Sequence, residues 1–212
     1  MTRTFRIQLK MAAWILCLLP LAVLAYRAAM GDLSANPISF VTNWLGQWTF
    51  RLLLAGLALT PLRVLLGISW QISLRRLLGL FAFFYASLHF SVWILLDHFF
   101  NWNQMLADLV KRRYISVGML ALALLVPLAV TSTSGMVKRL GGTNWRRLHR
   151  LVYVIGMLAA LHFLWLAKKG RTDQYLYAAI LVLLLGIRAW DALRRAVRKR
   201  RQGQAARAPL PA

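Results

Sequence analysis

The chain of 212 residues is 60% hydrophobic, yet it carries 27 lysines and arginines against five acids, a net charge of +22. The basic residues lie between and after long apolar blocks and form no separate soluble patch, which excludes a nucleic-acid-binding domain. One cysteine, Cys17, inside an apolar block, excludes an intramolecular disulfide and a Cys-rich metal site.

The apolar blocks are long enough to cross a hydrocarbon core of about 30 Å, which takes about 20 helical residues. They predict an all-α membrane protein, a bundle of six transmembrane helices over residues 11–191. A basic segment, 1–10, precedes the first span, 11–30, read as a retained helix because its apolar part is long and Arg27 stands where a signal peptide would be cleaved. The second span, 46–66, holds Arg51 a little over a turn inside its end, as a propionate partner or a snorkelling cation. Pro61 in this span and Pro127 in the fourth are expected to bend their helices and free carbonyls that neighbours must satisfy. The third span, 77–97, follows Arg75 and Arg76 and carries Phe81, Phe83, Phe84 and Tyr85 before His89, as pocket wall or as interhelical packing. His98, beside Asp97, reads as a solvated interface residue. The fourth span is 114–132, the fifth, 148–167, contains His149 and His162, and the sixth is 174–191. Residues 192–212 read as a disordered basic tail drawn to anionic lipid, where an acidic donor protein can also dock.

Basic residues in short loops stay on the cytoplasmic side. With both termini cytoplasmic, that side receives Arg3, Arg6 and Lys10, then Arg63, Arg75 and Arg76, then Lys138, Arg139, Arg146, Arg147 and Arg150, and the tail from Arg188 to Arg207. The opposite side holds Asp32, Asp97, Asp108 and Asp173 with fewer cations, among them Lys111, Arg112, Arg113, Lys168, Lys169 and Arg171. Tryptophans 44, 48, 102, 145, 165 and 190 fall near span ends, as an interfacial belt requires.

Alternating spans make the third and fifth run in the same direction, so His89 and His162, at similar distances from their span starts, share a depth in the outer half of the membrane. Two imidazoles at one level supply both axial ligands of a haem, a flat apolar group that fits between helices. The alternative for each is a neutral histidine bonded to a neighbouring carbonyl. His149 lies about 20 Å further toward the cytoplasm, where a second redox centre would complete a path across the bilayer. Span three offers Arg76 at that depth, which is not a usual haem ligand. Arg75, Arg76, Arg146, Arg147 and Arg150 can grip haem propionates or a flavin phosphate, or serve as inside-positive anchors.

The segments QWTFRLLLAGLALTPLRVLLG, LRRLLGLFAFFYASLHF and LAVTSTSGMVKRLGGTNWRRLHRLVYV, with the spaced His162, resemble the ferric-reductase-like transmembrane domain. Most closely they resemble the haem-binding membrane subunits of bacterial periplasmic protein-methionine-sulfoxide reductases, the MsrQ (formerly YedZ) family, from about residue 10 to 195. The resemblance implies a multi-pass, b-type haem protein of the inner membrane that passes electrons to a periplasmic molybdopterin reductase, for repair of oxidised methionines. It also implies association with the quinone pool and with FMN, and selects His89, His149 and His162. Arg76 stands where the wider superfamily has a fourth histidine, and no Gly-rich dinucleotide turn is present in these residues, so electrons must come from quinol or a separate cytoplasmic flavin reductase. Competing readings are a stand-alone membrane ferric or quinone reductase and a haem-free structural or transport subunit.

Overall fold

An asparagine and a proline set where the first long central helix begins. The Asn36 side chain accepts from the Ser39 amide at 3.0 Å and Pro37 takes the first helical position, where its missing N–H costs nothing. In the computed structural model, which describes residues 3–167 and 172–205, that helix starts nine residues before the expected 46. The described residues form no strand; their helices are α1 (Arg3–Ala29), α2 (Pro37–Leu66), α3 (Arg75–Val92), α4 (Trp102–Lys111), α5 (Arg113–Val130), α6 (Ser134–Leu148), α7 (Leu151–Trp165) and α8 (Asp173–Ala205). A 3₁₀ turn, Trp70–Leu74, leads into α3, and a wide π turn, Trp93–Asp97, ends it.

Among the described residues, five helical stretches are long and apolar enough to span a bilayer, and a sixth span exists if α6 and α7, bent by 44°, count together. The chain is therefore a multi-pass membrane protein. The fifth expected span is the short one, because α6 is polar with Lys138, Arg139, Arg146 and Arg147, leaving the apolar crossing to α7. Gly141, at φ 71°, breaks α6 internally.

Two expectations need correction. Residues 192–205 of the expected disordered tail continue α8 to Ala205, since Ala, Leu, Arg, Lys and Gln favour helix and Asp191 pairs with Arg195 one turn on at 2.5 Å. The tail's last seven residues, like Lys168, Lys169 and Arg171, lie outside the described residues. His98 is not solvated: its side chain is 8% exposed, tilted against Trp93 with ring centres 4.6 Å apart and facing Asp108 (3.2 Å) and Asp97 (3.5 Å). The cover comes from α4, which Asn101 caps by accepting from the Gln104 amide.

The centre is built from two close pairs, α2 with α3 and α5 with α7, and α8 lies against α2 and α7. Ala82 and Tyr85 are fully buried, and Ile155 nearly so. The aromatic run before His89 is packing: the Tyr85 hydroxyl donates to the Cys17 carbonyl at 2.7 Å and Phe81 meets Trp14 edge-on, which fastens α1 to α3.

Pro61 has no N–H for the Leu57 carbonyl four residues earlier. Arg188 of α8 satisfies it, donating from Nε at 3.2 Å and from Nη2 at 2.5 Å, while Nη1 donates to the Tyr153 hydroxyl at 3.0 Å. Arg188→Leu is expected to destabilise the protein by about 1–3 kcal/mol, the cost of an orphaned buried acceptor. Adding Pro61→Ala, which returns an N–H to Leu57, should recover much of that loss, as thermal unfolding in detergent micelles will show.

Candidate functional site

A carbonyl inside a helix already accepts from the amide four residues on, so a side chain from another helix can reach only its second lone pair. A ring laid flat against the helix at that point needs room where the residue four positions on would carry its Cβ. Two imidazoles in the bundle find that room over a glycine. His89 of α3 bonds through Nδ1 to the Thr42 carbonyl of α2 at 2.9 Å, and the residue four on is Gly46. His162 of α7 bonds through Nδ1 to the Tyr114 carbonyl of α5 at 2.7 Å, and the residue four on is Gly118. A Cβ at Gly46 would lie 3.1 Å from His89 Cε1, and one at Gly118 would lie 2.8 Å from His162 Nδ1. Each helix pair thus uses the same device to seat one imidazole.

Because a carbonyl only accepts, each Nδ1 carries the proton and each Nε2 keeps the lone pair that binds metals. The two ring centres are 6.3 Å apart with planes at 82°. With metal–imidazole bonds of about 2 Å and a ring nitrogen about 1.1 Å from its ring centre, two axial imidazoles on one metal have centres about 6 Å apart. The histidines expected at one depth are brought together.

Both rings line a cavity of about 290 Å³ between α2, α3, α5 and α7. Its inner walls are apolar, with Phe50, Leu53, Leu125 and Ile155, and its mouth is polar, with Asn43, Gln47, Asp97 and Arg112. No cluster of three or more His, Cys, Asp or Glu side chains suits a bare ion among the described residues. Two imidazoles across an apolar slot suit a flat macrocycle that brings its own equatorial donors, with acidic groups at the polar rim.

The other candidates lie elsewhere. Arg51 stands one residue back from the cavity, donating to the Tyr177 hydroxyl at 2.8 Å and to Oε1 of Gln47, a lining residue, at 3.1 Å, with its guanidinium over Trp48. His149 lies outside the cavity lining: its Nε2 is 3.1 Å from the Thr131 hydroxyl and its ring stacks at 3.9 Å on Trp145. Arg75 donates to the Thr60 hydroxyl at 2.5 Å, and Arg76 is exposed. Arg112, absent from the sequence-based candidates, bonds Asp108 at 3.1 Å at the cavity mouth. Gly46 and Gly118 were missed as well; their signal was the spacing to the carbonyl partners, visible only once the helix pairs are known.

The ferric reductase like transmembrane component family matches residues 45–160, from α2 through most of α7. The chain is 51% identical over 196 residues to the protein-methionine-sulfoxide reductase heme-binding subunit MsrQ of Rhodospirillum rubrum, covering 92% of each chain. It is 46% identical over 205 residues to MsrQ of Ralstonia nicotianae, covering 95% of this chain and 92% of that one. MsrQ of Herminiimonas arsenicoxydans is 50% identical over 187 residues, 87% of this chain and 85% of its own. The chain belongs to the MsrQ family. Its MsrQ fold therefore comprises the two helix pairs with their histidines, the covering helix α8, and α1 at the edge.

Gly118→Ala forces the pinned His162 ring to move and is expected to cost about 1–3 kcal/mol, as overpacking does. Gly79→Ala, with nothing within 4 Å of the new Cβ, should be neutral or gain up to about 1 kcal/mol of helix propensity. Unfolding of the two variants side by side checks both signs.

Proposed function

We propose that the chain is the haem-binding electron-transfer subunit of a periplasmic protein-methionine-sulfoxide reductase system, seated in a bacterial inner membrane with both termini in the cytoplasm. The observation that carries this reading is the pair of imidazoles 6.3 Å apart across an apolar cavity. MsrQ relatives are named as heme-binding subunits of that reductase, in agreement with such a site. The orientation follows from the excess of arginine at the end of the bundle holding Arg75, Arg146 and Arg188.

His89 and His162 would hold one haem b through their Nε2 atoms. A haem bound there supplies one-electron chemistry between a lipid-soluble or cytoplasmic donor and a soluble acceptor. The Thr42 and Tyr114 carbonyls fix the tautomer and orientation of the two rings. Phe50, Leu53, Leu125 and Ile155 exclude water and keep the surroundings apolar, which tunes a redox potential. Arg112 with Asn43 and Gln47 offers donors to propionates at the rim, and Arg51 steadies Gln47. The quinone pool or a cytoplasmic flavin reductase is the donor, and a molybdopterin-containing periplasmic subunit is the acceptor. His149, with Thr131 the polar neighbour of its imidazole, would offer a ligand to a second haem, and Arg76 a donor to the phosphate of an FMN.

A stand-alone ferric or quinone reductase is the second reading. It is favoured by Asp97, a carboxylate 54% exposed at the cavity mouth, where a cationic substrate can approach.

Purified protein supplied with haem is expected to show reducible b-type absorbance that His89→Ala and His162→Ala abolish and His149→Ala largely keeps. Equal loss in all three variants would contradict the assignment. Reduced protein should pass electrons to the molybdopterin reductase faster than to ferric chelates; the reverse order would favour the stand-alone enzyme.

A further inference from the structure

At the end of the bundle away from the cavity mouth, arginines from three helices converge without a counter-ion among the described residues. Arg188 of α8 reaches the Leu57 carbonyl of α2 and the Tyr153 hydroxyl of α7. Arg75, at the start of α3, donates to Thr60, one turn further along α2. Arg188 and Arg63, on the next turn of α2, both act on Arg75 as like charges. Every hydrogen-bond partner of Arg75 and Arg188 among these is a neutral oxygen. The acids give no relief. Asp32, Asp97, Asp108 and Asp173 belong to the other end, and Asp191 is paired with Arg195.

Three cations at a membrane boundary repel one another and call for an anion. The cluster opens outward: Arg63 and Arg75 are exposed, Arg188 is half-buried, and none of them lines the cavity of His89 and His162. Beside it, α2 presents Leu62, Leu65 and Leu66 as exposed apolar surface, and α8 presents Trp190. Charged donors next to a strip of leucines match a phosphate head joined to acyl chains.

We propose that Arg63, Arg75 and Arg188 form a binding site for the phosphate of an anionic phospholipid, held between α2, α3 and α8. Guanidinium forks grip phosphate oxygens in pairs, and the lipid's chains lie along the α2 leucines. The site fastens α8 to the α2/α3 pair at the end where Pro61 weakens the α2 ladder. This inference does not depend on the haem reading, because the cluster stands apart from both histidines of the cavity.

The test is native mass spectrometry of the full chain with its haem, loaded separately with phosphatidylglycerol, phosphatidylcholine and FMN. Arg188 is left unchanged, since it also satisfies Leu57; the variants are Arg63→Gln, Arg75→Gln and their double. Phosphatidylglycerol should be retained in preference to phosphatidylcholine, and each substitution should lower its retention about fivefold, with haem absorbance unchanged. Equal retention of the two lipids, or variants that hold phosphatidylglycerol like the parent, would overturn the proposal. Displacement of the lipid by FMN would mark a phosphate-monoester site instead. Haem loss in the variants would mark the arginines as propionate partners, and either result also overturns it.

Discussion

Two hydrogen bonds from imidazole to main chain govern the centre of this bundle. His89 to Thr42 and His162 to Tyr114 each join a side chain to a carbonyl that its own helix has already used once. Gly46 and Gly118 leave the room in which the two rings lie against those carbonyls. They bind α3 to α2 and α7 to α5, so each imidazole belongs to a rigid helix pair. The separation of the rings is then set by how the two pairs pack, and not by the free rotation of either side chain.

The same economy recurs through the fold. In hydrocarbon no water is at hand for a lone donor, and donors on one helix settle on carbonyls of another. Trp44 Nε1 donates to the Pro20 carbonyl at 3.0 Å, Tyr85 to Cys17 at 2.7 Å, and Arg188 to Leu57, the acceptor that Pro61 leaves open. These contacts tie α1 to α2 and α3, and α8 to α2, around the cavity. A site held this firmly would need little rearrangement on a change of redox state, in keeping with the electron-transfer role proposed above.

Much of this was legible in the sequence, for identifiable reasons. The shared depth of His89 and His162 follows from helical rise and from counting alternating spans, and the structure brings those rings together. The need for neighbours to satisfy a carbonyl near Pro61 followed from proline lacking an N–H, although nothing in the sequence pointed to Arg188. Gly46 and Gly118 were opaque, since a glycine in an apolar helix reads as ordinary close packing until the partner helix is known. His98 was misread for a similar reason: its cover, α4, is a ten-residue helix with a polar face that resembles loop until the Asn101 cap is recognised. Residues 192–205 were expected to be disordered because of their charge, whereas helix propensity and the Asp191–Arg195 pair carry α8 to Ala205.

The central claim is that two nearly perpendicular imidazoles share one iron. Low-temperature electron paramagnetic resonance of the oxidised, haem-loaded protein tests it most directly, since ring planes at 82° leave a strongly anisotropic low-spin signal. That signal is the expected result. A high-spin spectrum, or the rhombic low-spin spectrum of parallel rings, would show that His89 and His162 do not hold the metal as they stand.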